Sequence, residues 1–188
     1  MKNIVIFASG SGTNAQNICE KFKDNTKVKV AALFCNNPKA KVIERMKQFD
    51  VPVHLFSKED FKNEEKFKSE LAQYTPDLIV LAGFLWLIPS YLVNAYPKQI
   101  INIHPALLPK FGGKGMYGHF VHEAVLKKKE KEHGITIHFV NEKYDEGSPI
   151  FQAKFEVKKT DTIEDVQKQI ALLEMQYFPE AILRVLGI

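Results

Sequence analysis

Asn102 and His104 stand two residues apart at the carboxyl end of a predicted strand, just before Pro105. Side chains two apart on a strand point to the same face of a sheet. An amide donor beside an imidazole suits acyl transfer, because both groups can hydrogen-bond an oxyanion and the ring can also exchange a proton. Read alone, the same pair also fits two structural side chains with satisfied hydrogen bonds.

Asp145 lies in the segment HFVNEKYDEGSPI, which reads as a strand, a turn and a second strand, with His138 on the first strand. An isolated aspartate in a turn usually hydrogen-bonds the local backbone. If the fold brings Asp145 against His104, the carboxylate raises the pKa of the imidazole toward neutrality or above. A charged acid is then available when a tetrahedral intermediate forms. About forty residues separate the two side chains, so the sequence leaves this arrangement open.

The segment IVIFASGSGTN predicts a strand that runs through a glycine turn into a helix. Free backbone N–H groups and the helix dipole at such a turn favour a phosphate. Gly10 and Gly12 permit the tight turn, while Ser11, Thr13 and Asn14 offer side-chain donors. The segment matches neither G-x-G-x-x-G nor G-x-x-x-x-G-K-[ST]. A structural alternative is that Thr13 or Asn14 only caps the helix.

The sequence contains no recognisable motif for a metal site or for a covalent nucleophile. His119 and His122 have helical spacing and Glu123 follows them, but the order is not H-E-x-x-H and no third ligand is placed. No serine or cysteine stands in a G-x-S-x-G or comparable setting. We therefore predict that the protein uses neither a metal ion nor a covalent acyl-enzyme.

The segment LAGFLWLIP contains Phe84, Trp86 and Pro89 directly after a predicted buried strand. These side chains fit plain hydrophobic core. Their position at a strand end fits equally well the wall of a pocket for a flat aromatic ligand.

Short apolar runs alternate with segments of helical period along the chain, which predicts an α/β fold with a Rossmann-like, open, mostly parallel sheet and helices on both faces. The predicted strands are 3–8, 28–35, 78–82, 99–104, 135–140 and 150–157, of which the last two are expected to be antiparallel. The predicted helices are 14–22, 40–49, 60–74, 119–129 and 162–186, the last capped by Asp161 or Thr162. We expect residues 1–188 to form a single domain.

The composition of the chain argues against two classes of protein and indicates a cellular compartment. The formal net charge is +4, yet Arg45 and Arg184 are the only arginines, so nucleic-acid binding is not expected. No apolar stretch approaches the about 20 residues of a membrane helix, so no membrane insertion is expected. Cys19 and Cys35 lack C-x-x-C spacing and are expected to be buried and reduced, which indicates a cytoplasmic protein. The sequence gives no oligomeric state.

Together, these segments resemble the phosphoribosylglycinamide formyltransferases, a family of folate-dependent enzymes of purine synthesis. The resemblance extends over nearly the whole chain and rests on SGSGTN, PDLIVLAGF, NIHPALLPKFGG and HFV…D-x-G-x-P-I-x-Q in this order. The N-x-H-P-[AS]-L-L-P motif is typical of folate formyltransferases and hydrolases, and SGxG[ST]N narrows the choice.

The resemblance implies a formyltransferase fold that binds glycinamide ribonucleotide and the co-substrate 10-formyltetrahydrofolate, two small molecules. By position it implies that the following residues act: Asn102, His104 and Asp145 in catalysis; Gly12, Thr13, Asn14 and Glu174 in ribonucleotide binding; Leu85, Trp86, Leu87, Ile88 and Asn102 in folate binding. Trp86 stands at a position where many relatives have an arginine. Lys62, Lys66, backbone groups or solvent are therefore expected to contact the glutamate tail of the folate. Gly112, Gly113 and Gly115 suggest the hypothesis of a loop that closes on ligands.

Two related enzymes and one binding protein remain as alternatives. A formyltetrahydrofolate hydrolase uses water in place of the amine, but usually carries an N-terminal regulatory domain. Methionyl-tRNA formyltransferase usually carries an extra C-terminal domain. A silent nucleotide-binding module would bind phosphate at residues 12–14 without transferring a formyl group.

Overall fold

The computed structural model describes residues 1–188 and contains one seven-stranded sheet with the order β3-β2-β1-β4-β5-β6-β7. The strands are β1 (Lys2–Ala8), β2 (Val28–Cys35), β3 (Val53–Leu55), β4 (Leu78–Leu81), β5 (Ile100–His104), β6 (Glu132–Phe139) and β7 (Pro149–Glu156). The first five strands are parallel, while β6 and β7 are each antiparallel to their neighbours. The predicted mostly parallel sheet with an antiparallel C-terminal pair is confirmed.

Seven helices cover the two faces of this sheet. They are α1 (Thr13–Phe22), α2 (Lys41–Met46), α3 (Lys58–Lys62), α4 (Glu64–Ala72), α5 (Ser90–Ala95), α6 (His119–Lys127) and α7 (Ile163–Leu186). None of them combines the length and the hydropathy that a helix needs to cross a membrane.

Strand β1 is buried on both faces and divides the core into two clusters. Ile4 and Ile6 pack in a cluster with buried side chains of α1 and α7, while Val5 and Phe7 pack in a second cluster with the helices α3, α4 and α5. The split follows from the period of two along a strand. Both clusters are apolar, which is why β1 reads as an uninterrupted hydrophobic run.

The predicted single helix over residues 60–74 is wrong, because the chain forms α3 and α4 with a break at Asn63. Asn63 adopts an extended conformation, with φ −82° and ψ 92°, and its side chain accepts a hydrogen bond from the N–H of Lys66. Ser57 and Asp60 form a capping box at the start of α3. Two N-terminal caps six residues apart therefore start two helices where the hydrophobic period suggested one.

Two short elements were not predicted, the edge strand β3 and the helix α5. Strand β3 has three residues and α5 has six, which is too short for a recognisable hydrophobic period. Helix α2 ends at Met46, three residues before the predicted end at Phe49, and β6 begins at Glu132, three residues before the predicted start.

The terminal helix α7 begins where the sequence predicts. Thr162 is its N-cap and forms a capping box with Asp165. Val166 and Ile170 are buried against the sheet, as expected for the inner face of this helix. The cysteines Cys19 and Cys35 are free and buried, as predicted.

The order of strands reverses between β1 and β4, because β2 lies on one side of β1 and β4 on the other. In open α/β sheets, ligands bind in the crevice outside the carboxyl ends of the strands at such a point. The carboxyl ends of β1, β4 and β5 all lie at this edge of the sheet.

Candidate active site

A cavity of about 560 Å³ lies at the carboxyl ends of β1, β4 and β5. Its wall is formed by the segments that follow these strands, by the glycine-rich loop before α6, by the connection between β6 and β7, and by α7. The residues predicted from the sequence that line it are Asn14, Leu85, Asn102, His104, Asp145 and Glu174. Six side chains from five separate segments of the sequence therefore meet at one cavity.

A larger concavity of about 760 Å³ lies near the amino ends of β1 and β2, lined by residues such as Met1, Val28 and Asp50. This is the opposite edge of the sheet from the polar residues singled out in the sequence. The smaller cavity is therefore the better candidate for the reaction site, because it combines titratable groups with a strand-order reversal.

His104 and Asp145 lie against each other inside this cavity, as the sequence hypothesis required. The Nδ1 atom of His104 is 3.5 Å from Oδ2 of Asp145, and both side chains are largely buried. Asp145 adopts a left-handed conformation with φ 56°, which an aspartate tolerates better than most residues. The turn between β6 and β7 thereby directs the carboxylate at the end of β5.

The amide of Asn102 is held by two acceptors. Its Nδ2 donates to Nε2 of His138 over 3.1 Å and to Oδ1 of Asp145 over 3.4 Å. His138 is paired with Asn102 across the β5–β6 ladder, and its own Nδ1 lies 2.9 Å from the carbonyl oxygen of Phe139. Because that carbonyl can only accept, Nδ1 of His138 carries the proton and Nε2 is left as the acceptor for Asn102.

The other ring nitrogen of His104 is bonded to the loop that follows β5. Nε2 of His104 lies 2.8 Å from the carbonyl oxygen of Phe111 and therefore donates to it. The neutral ring then has its lone pair on Nδ1, the atom that faces Asp145. Only Nδ1 of His104 is free to exchange a proton with a bound ligand.

The predicted rise in the pKa of His104 is wrong. Burial lowers the pKa of His104 below its ordinary value, and it outweighs the Asp145 carboxylate, which acts in the opposite direction. The carboxylate lies where the hypothesis assumed, but the sequence gave no measure of how far the ring is removed from water, and desolvation disfavours the charged form. His104 is therefore neutral in the resting site.

Asp145 itself is ionised. Burial works to raise the pKa of this carboxyl, but its interactions with the His138 and His104 rings and with the backbone N–H of Gly113 together hold it below its ordinary value. The N–H of Gly113 donates to Oδ2 over 2.9 Å. A Cβ at the neighbouring Gly112 would lie 3.2 Å from Cβ of Asp145 and 2.5 Å from the Leu108 side chain. A glycine at this position therefore allows the loop to lie close to Asp145.

The predicted phosphate turn lies at one end of the cavity, where Gly12 is the N-cap of α1 with φ 76°. A Cβ at this position would come within 2.4 Å of the Val42 side chain, so only glycine fits. No side chain caps the helix, so the alternative that Thr13 or Asn14 serves as the cap is wrong. Gly12 and Thr13 lie outside the cavity lining, whereas Ser11 and Asn14 line it.

Asn14 is joined to Glu174 of α7 by a hydrogen bond of 2.9 Å from its Nδ2 to Oε2. Burial raises the pKa of Glu174 to about 7, although the Asn14 amide acts to lower it. A carboxyl group with such a pKa changes its charge close to neutral pH. Both residues of this pair line the cavity.

The segment 85–88 is divided between the cavity rim and the core. Leu85 lines the cavity, and both Leu85 and Leu87 are exposed. Ile88 is buried, and Trp86 packs against Phe56, Phe61 and Phe84. The side chains of Trp86, Leu87 and Ile88 are therefore not part of the cavity lining, so the predicted pterin wall is reached by Leu85 alone.

Several groups of the site were not assigned from the sequence. His138 was noticed only as a residue on the preceding strand, and its pairing with Asn102 follows from the strand register. The contacts of the Phe111 carbonyl and the Gly113 N–H depend on the path of a loop. Of the two lysines considered for the folate tail, Lys66 is already paired with Asp60 at 2.6 Å. No group of three His, Cys, Asp or Glu side chains lies close enough to hold a metal ion.

A family model described as formyl transferase matches residues 2–182 of the chain. The chain belongs to the formyl transferase family. It is 37% identical to phosphoribosylglycinamide formyltransferase of Bacillus subtilis (strain 168), over 100% of this chain and 96% of that protein. It is 35% identical to the enzyme of the same name from Escherichia coli (strain K12), over 94% and 84% of the two chains.

A solved structure supports the same assignment of this formyl transferase. The glycinamide ribonucleotide transformylase 1 of Symbiobacterium toebii superposes with a TM-score of 0.87 at 33% identity, covering 100% of this chain and 89% of that chain. The predicted formyltransferase fold is thereby confirmed. The resemblance inferred from the four sequence segments is confirmed as well.

Proposed function

We propose that this formyl transferase moves the formyl group of 10-formyltetrahydrofolate to the amine of glycinamide ribonucleotide, a step of purine synthesis, and that residues 1–188 act as one formyltransferase domain. The observation that carries the proposal is the contact of Asn102, His104 and Asp145 in one cavity, with 3.4 Å and 3.5 Å between the groups. The names of the similar proteins supply the two substrates.

The ribonucleotide is proposed to bind along α1 and α7. Its phosphate would lie at the N-terminus of α1, where the backbone N–H groups near Gly12, Thr13 and Asn14 are left without a side-chain cap. Glu174 would accept hydrogen bonds from the sugar hydroxyl groups. This orientation directs the amine of the substrate toward the carboxyl end of β5.

The folate is proposed to enter from the side of Leu85. The backbone of residues 85–88 and the exposed side chains of Leu85 and Leu87 would contact the pterin ring, while Trp86 and Ile88 support this segment from the core. An apolar wall with backbone hydrogen-bonding groups suits a flat heteroaromatic ring. Asn102 would lie between the two substrates.

The reaction itself needs three events: attack on the formyl carbon, breakage of its bond to the folate nitrogen, and transfer of a proton. The amine nitrogen attacks the formyl carbon and forms a C–N bond, while the carbonyl electrons move to the oxygen. The resulting tetrahedral intermediate carries a negative oxygen and a positive nitrogen. The bond from the formyl carbon to the folate nitrogen then breaks, and the folate nitrogen takes up the proton that the attacking nitrogen loses.

His104 is proposed to carry this proton on Nδ1. The ring is neutral in the resting site, so it can accept the proton from the attacking nitrogen. Once charged, it lies between the Asp145 carboxylate and the oxyanion, which both stabilise it. It then returns the proton to the leaving folate nitrogen, and no covalent enzyme intermediate is formed.

Asn102 is proposed to stabilise the oxyanion with its amide N–H. Its Nδ2 has two hydrogens, and the contact to His138 at 3.1 Å is shorter than the contact to Asp145 at 3.4 Å. The longer contact is the one that an oxyanion can replace, while His138 keeps the amide in place. One preorganised donor of this kind typically lowers the barrier by about 3–4 kcal/mol.

The test is a spectrophotometric assay of folate release from a 10-formyl donor, run with and without glycinamide ribonucleotide. Release that requires the ribonucleotide is the expected result. Equal release in its absence would indicate a hydrolase. No release under either condition, with the ribonucleotide still bound in a calorimetric titration, would indicate a binding module.

A further inference from the structure

Two buried histidines outside the proposed catalytic trio form a hydrogen-bonded pair. Nδ1 of His122 lies 3.0 Å from Nε2 of His133, and the two side chains are 4% and 1% exposed. His122 is on α6 and His133 is on β6, so the pair joins the helix after the glycine-rich loop to the sheet. The proposed reaction uses neither ring.

His122 also lines the reaction cavity, and its helix α6 packs against α7, which contributes Ile170 and Glu174 to the same lining. His133 lies behind it and packs against the ring of Phe155. A polar ring that is almost completely buried, and yet forms part of a ligand cavity, is placed to contact what binds there. The hydrogen bond to His133 holds this ring in position.

The hydrogen bond between the rings determines what His122 can offer to a ligand. Burial is the main cause that lowers the pKa of both rings to about 4, so both are neutral at pH 7. A neutral imidazole has one N–H and one lone pair. Since Nδ1 of His122 is bonded to His133, Nε2 is its one ring nitrogen without a partner in the protein.

We propose that Nε2 of His122 hydrogen-bonds the bound ribonucleotide, and that His133 is a positioning residue that fixes the orientation and tautomer of the His122 ring. This inference rests on the proposed function, because it names the ligand of the same cavity. The packing of the helices favours the ribonucleotide over the folate as the partner of His122. Helix α6 packs against α7, the helix that carries Glu174, while the folate is proposed to enter at Leu85.

The two nitrogens of His122 can be tested separately by two amides. The amide of asparagine lies close to the position of Nδ1, and that of glutamine close to the position of Nε2. His122→Asn keeps the contact with His133 and loses the contact with the ligand. His122→Gln keeps the ligand contact and loses the one with His133.

We expect His122→Asn to raise the KM for glycinamide ribonucleotide about tenfold, the effect of one lost hydrogen bond. Its kcat and its KM for the formyl donor should stay within about threefold of the wild-type values. His122→Gln should keep kcat and the KM for the donor within the same range, and should raise the KM for the ribonucleotide less than His122→Asn does, because it keeps the ligand contact and loses only the one with His133. A wild-type KM in His122→Asn, or an equal increase in both variants, would overturn the proposal, as would a change confined to the KM for the donor.

The role of His133 is tested by His133→Gln and His133→Leu. Glutamine places an amide near Nε2 and should keep the KM for the ribonucleotide, while leucine should raise it by about three- to tenfold without a similar loss of kcat. Equal effects of the two substitutions would overturn the positioning role.

Calorimetric titration with the ribonucleotide alone separates this inference from the proposed reaction. Weaker binding to His122→Asn than to the wild-type protein supports the inference even if no formyl transfer is detected. Equal affinities overturn it even if transfer is confirmed. A wild-type protein that binds no ribonucleotide would overturn both the inference and the proposed function.

Discussion

Each side chain of the proposed trio is fixed by a second group of the protein. His138 holds the Asn102 amide, the Phe111 carbonyl holds the His104 ring, and the Gly113 N–H holds the Asp145 carboxylate. Such contacts keep hydrogen-bond donors directed at the place where charge develops in the transition state. The trio should therefore act mainly on kcat and little on substrate binding.

Removing Asn102 or His104 tests this expectation. In Asn102→Ala and His104→Ala we expect kcat to fall by about a hundredfold to a thousandfold, the effect of removing one oxyanion donor, with the KM values changed much less. His119→Ala is the control, because this histidine is exposed and lies outside the cavity lining. Steady-state kinetics at saturating donor give the values. Near-wild-type turnover in either variant would contradict the assigned roles.

The ionisation of Glu174 should make ribonucleotide binding depend on pH. Its pKa of about 7 is raised, so the carboxylate that accepts from the sugar hydroxyl groups is lost as the pH falls through 7. We expect the KM for the ribonucleotide to be about tenfold higher at pH 6 than at pH 8, because a group that must be ionised is only about one-tenth ionised one pH unit below its pKa. Glu174→Gln should show a flatter profile. Parallel profiles in the two proteins would contradict the role of Glu174.

The residues of the site differed in how far the sequence determines them. Asn102 and His104 share a strand, and the period of two is enough to place them on one face. Asp145 reaches them only because the turn adopts φ 56° and the loop donates from Gly113, and neither feature has a sequence pattern of its own. The pKa of His104 could not be predicted, since burial depends on the packing of the whole cavity.

At the level of elements, long strands with apolar runs could be predicted, and short or divided elements could not. The four residues of β4 are all buried and follow a clear apolar run. The division between α3 and α4 depends on Asn63, and asparagine is compatible with a cap as well as with an exposed position inside a helix. A single residue therefore decided between one helix and two.

The cap of α7 matters for the site because this helix carries Glu174. Thr162 accepts from the N–H of Asp165, and the Asp165 side chain accepts from the N–H of Thr162. We expect Thr162→Ala to lower the free energy of unfolding by about 1 kcal/mol, which shifts Tm by about 2–4 °C for a chain of this size.

Thr160→Ala is the matched control for the cap, because Thr160 is exposed and lies before the helix. Its free energy of unfolding should stay within about 0.5 kcal/mol of the wild-type value. Thermal unfolding followed by circular dichroism measures both variants. Equal stabilities of the two variants would show that the capping box does not stabilise α7.

Across the whole molecule, the buried histidines make the folded state sensitive to acid. His122 and His133 have a pKa of about 4 when folded and an ordinary value of 6.5. The unfolded chain therefore binds more protons than the folded chain between these values, and stability falls as the pH falls from 6.5 to 4. Glu174, with its raised pKa, acts in the opposite direction.

A double variant, His122→Phe with His133→Phe, isolates the contribution of the pair. Between pH 7 and pH 4.5 the wild-type protein should lose more unfolding free energy than the variant, by about 2 kcal/mol for each ring. Glu174 is present in both proteins and its effect cancels. Urea unfolding at the two pH values gives the difference, and an equal loss in both proteins would show that the rings are not neutral in the folded state.

The most direct test of the account follows the formyl group itself. The protein is incubated with a 10-formyltetrahydrofolate labelled with ¹³C at the formyl carbon and with glycinamide ribonucleotide, and the products are analysed by mass spectrometry. The expected result is one labelled formyl group on the ribonucleotide for each folate released. Label recovered as free formate, with the ribonucleotide unchanged, would contradict it.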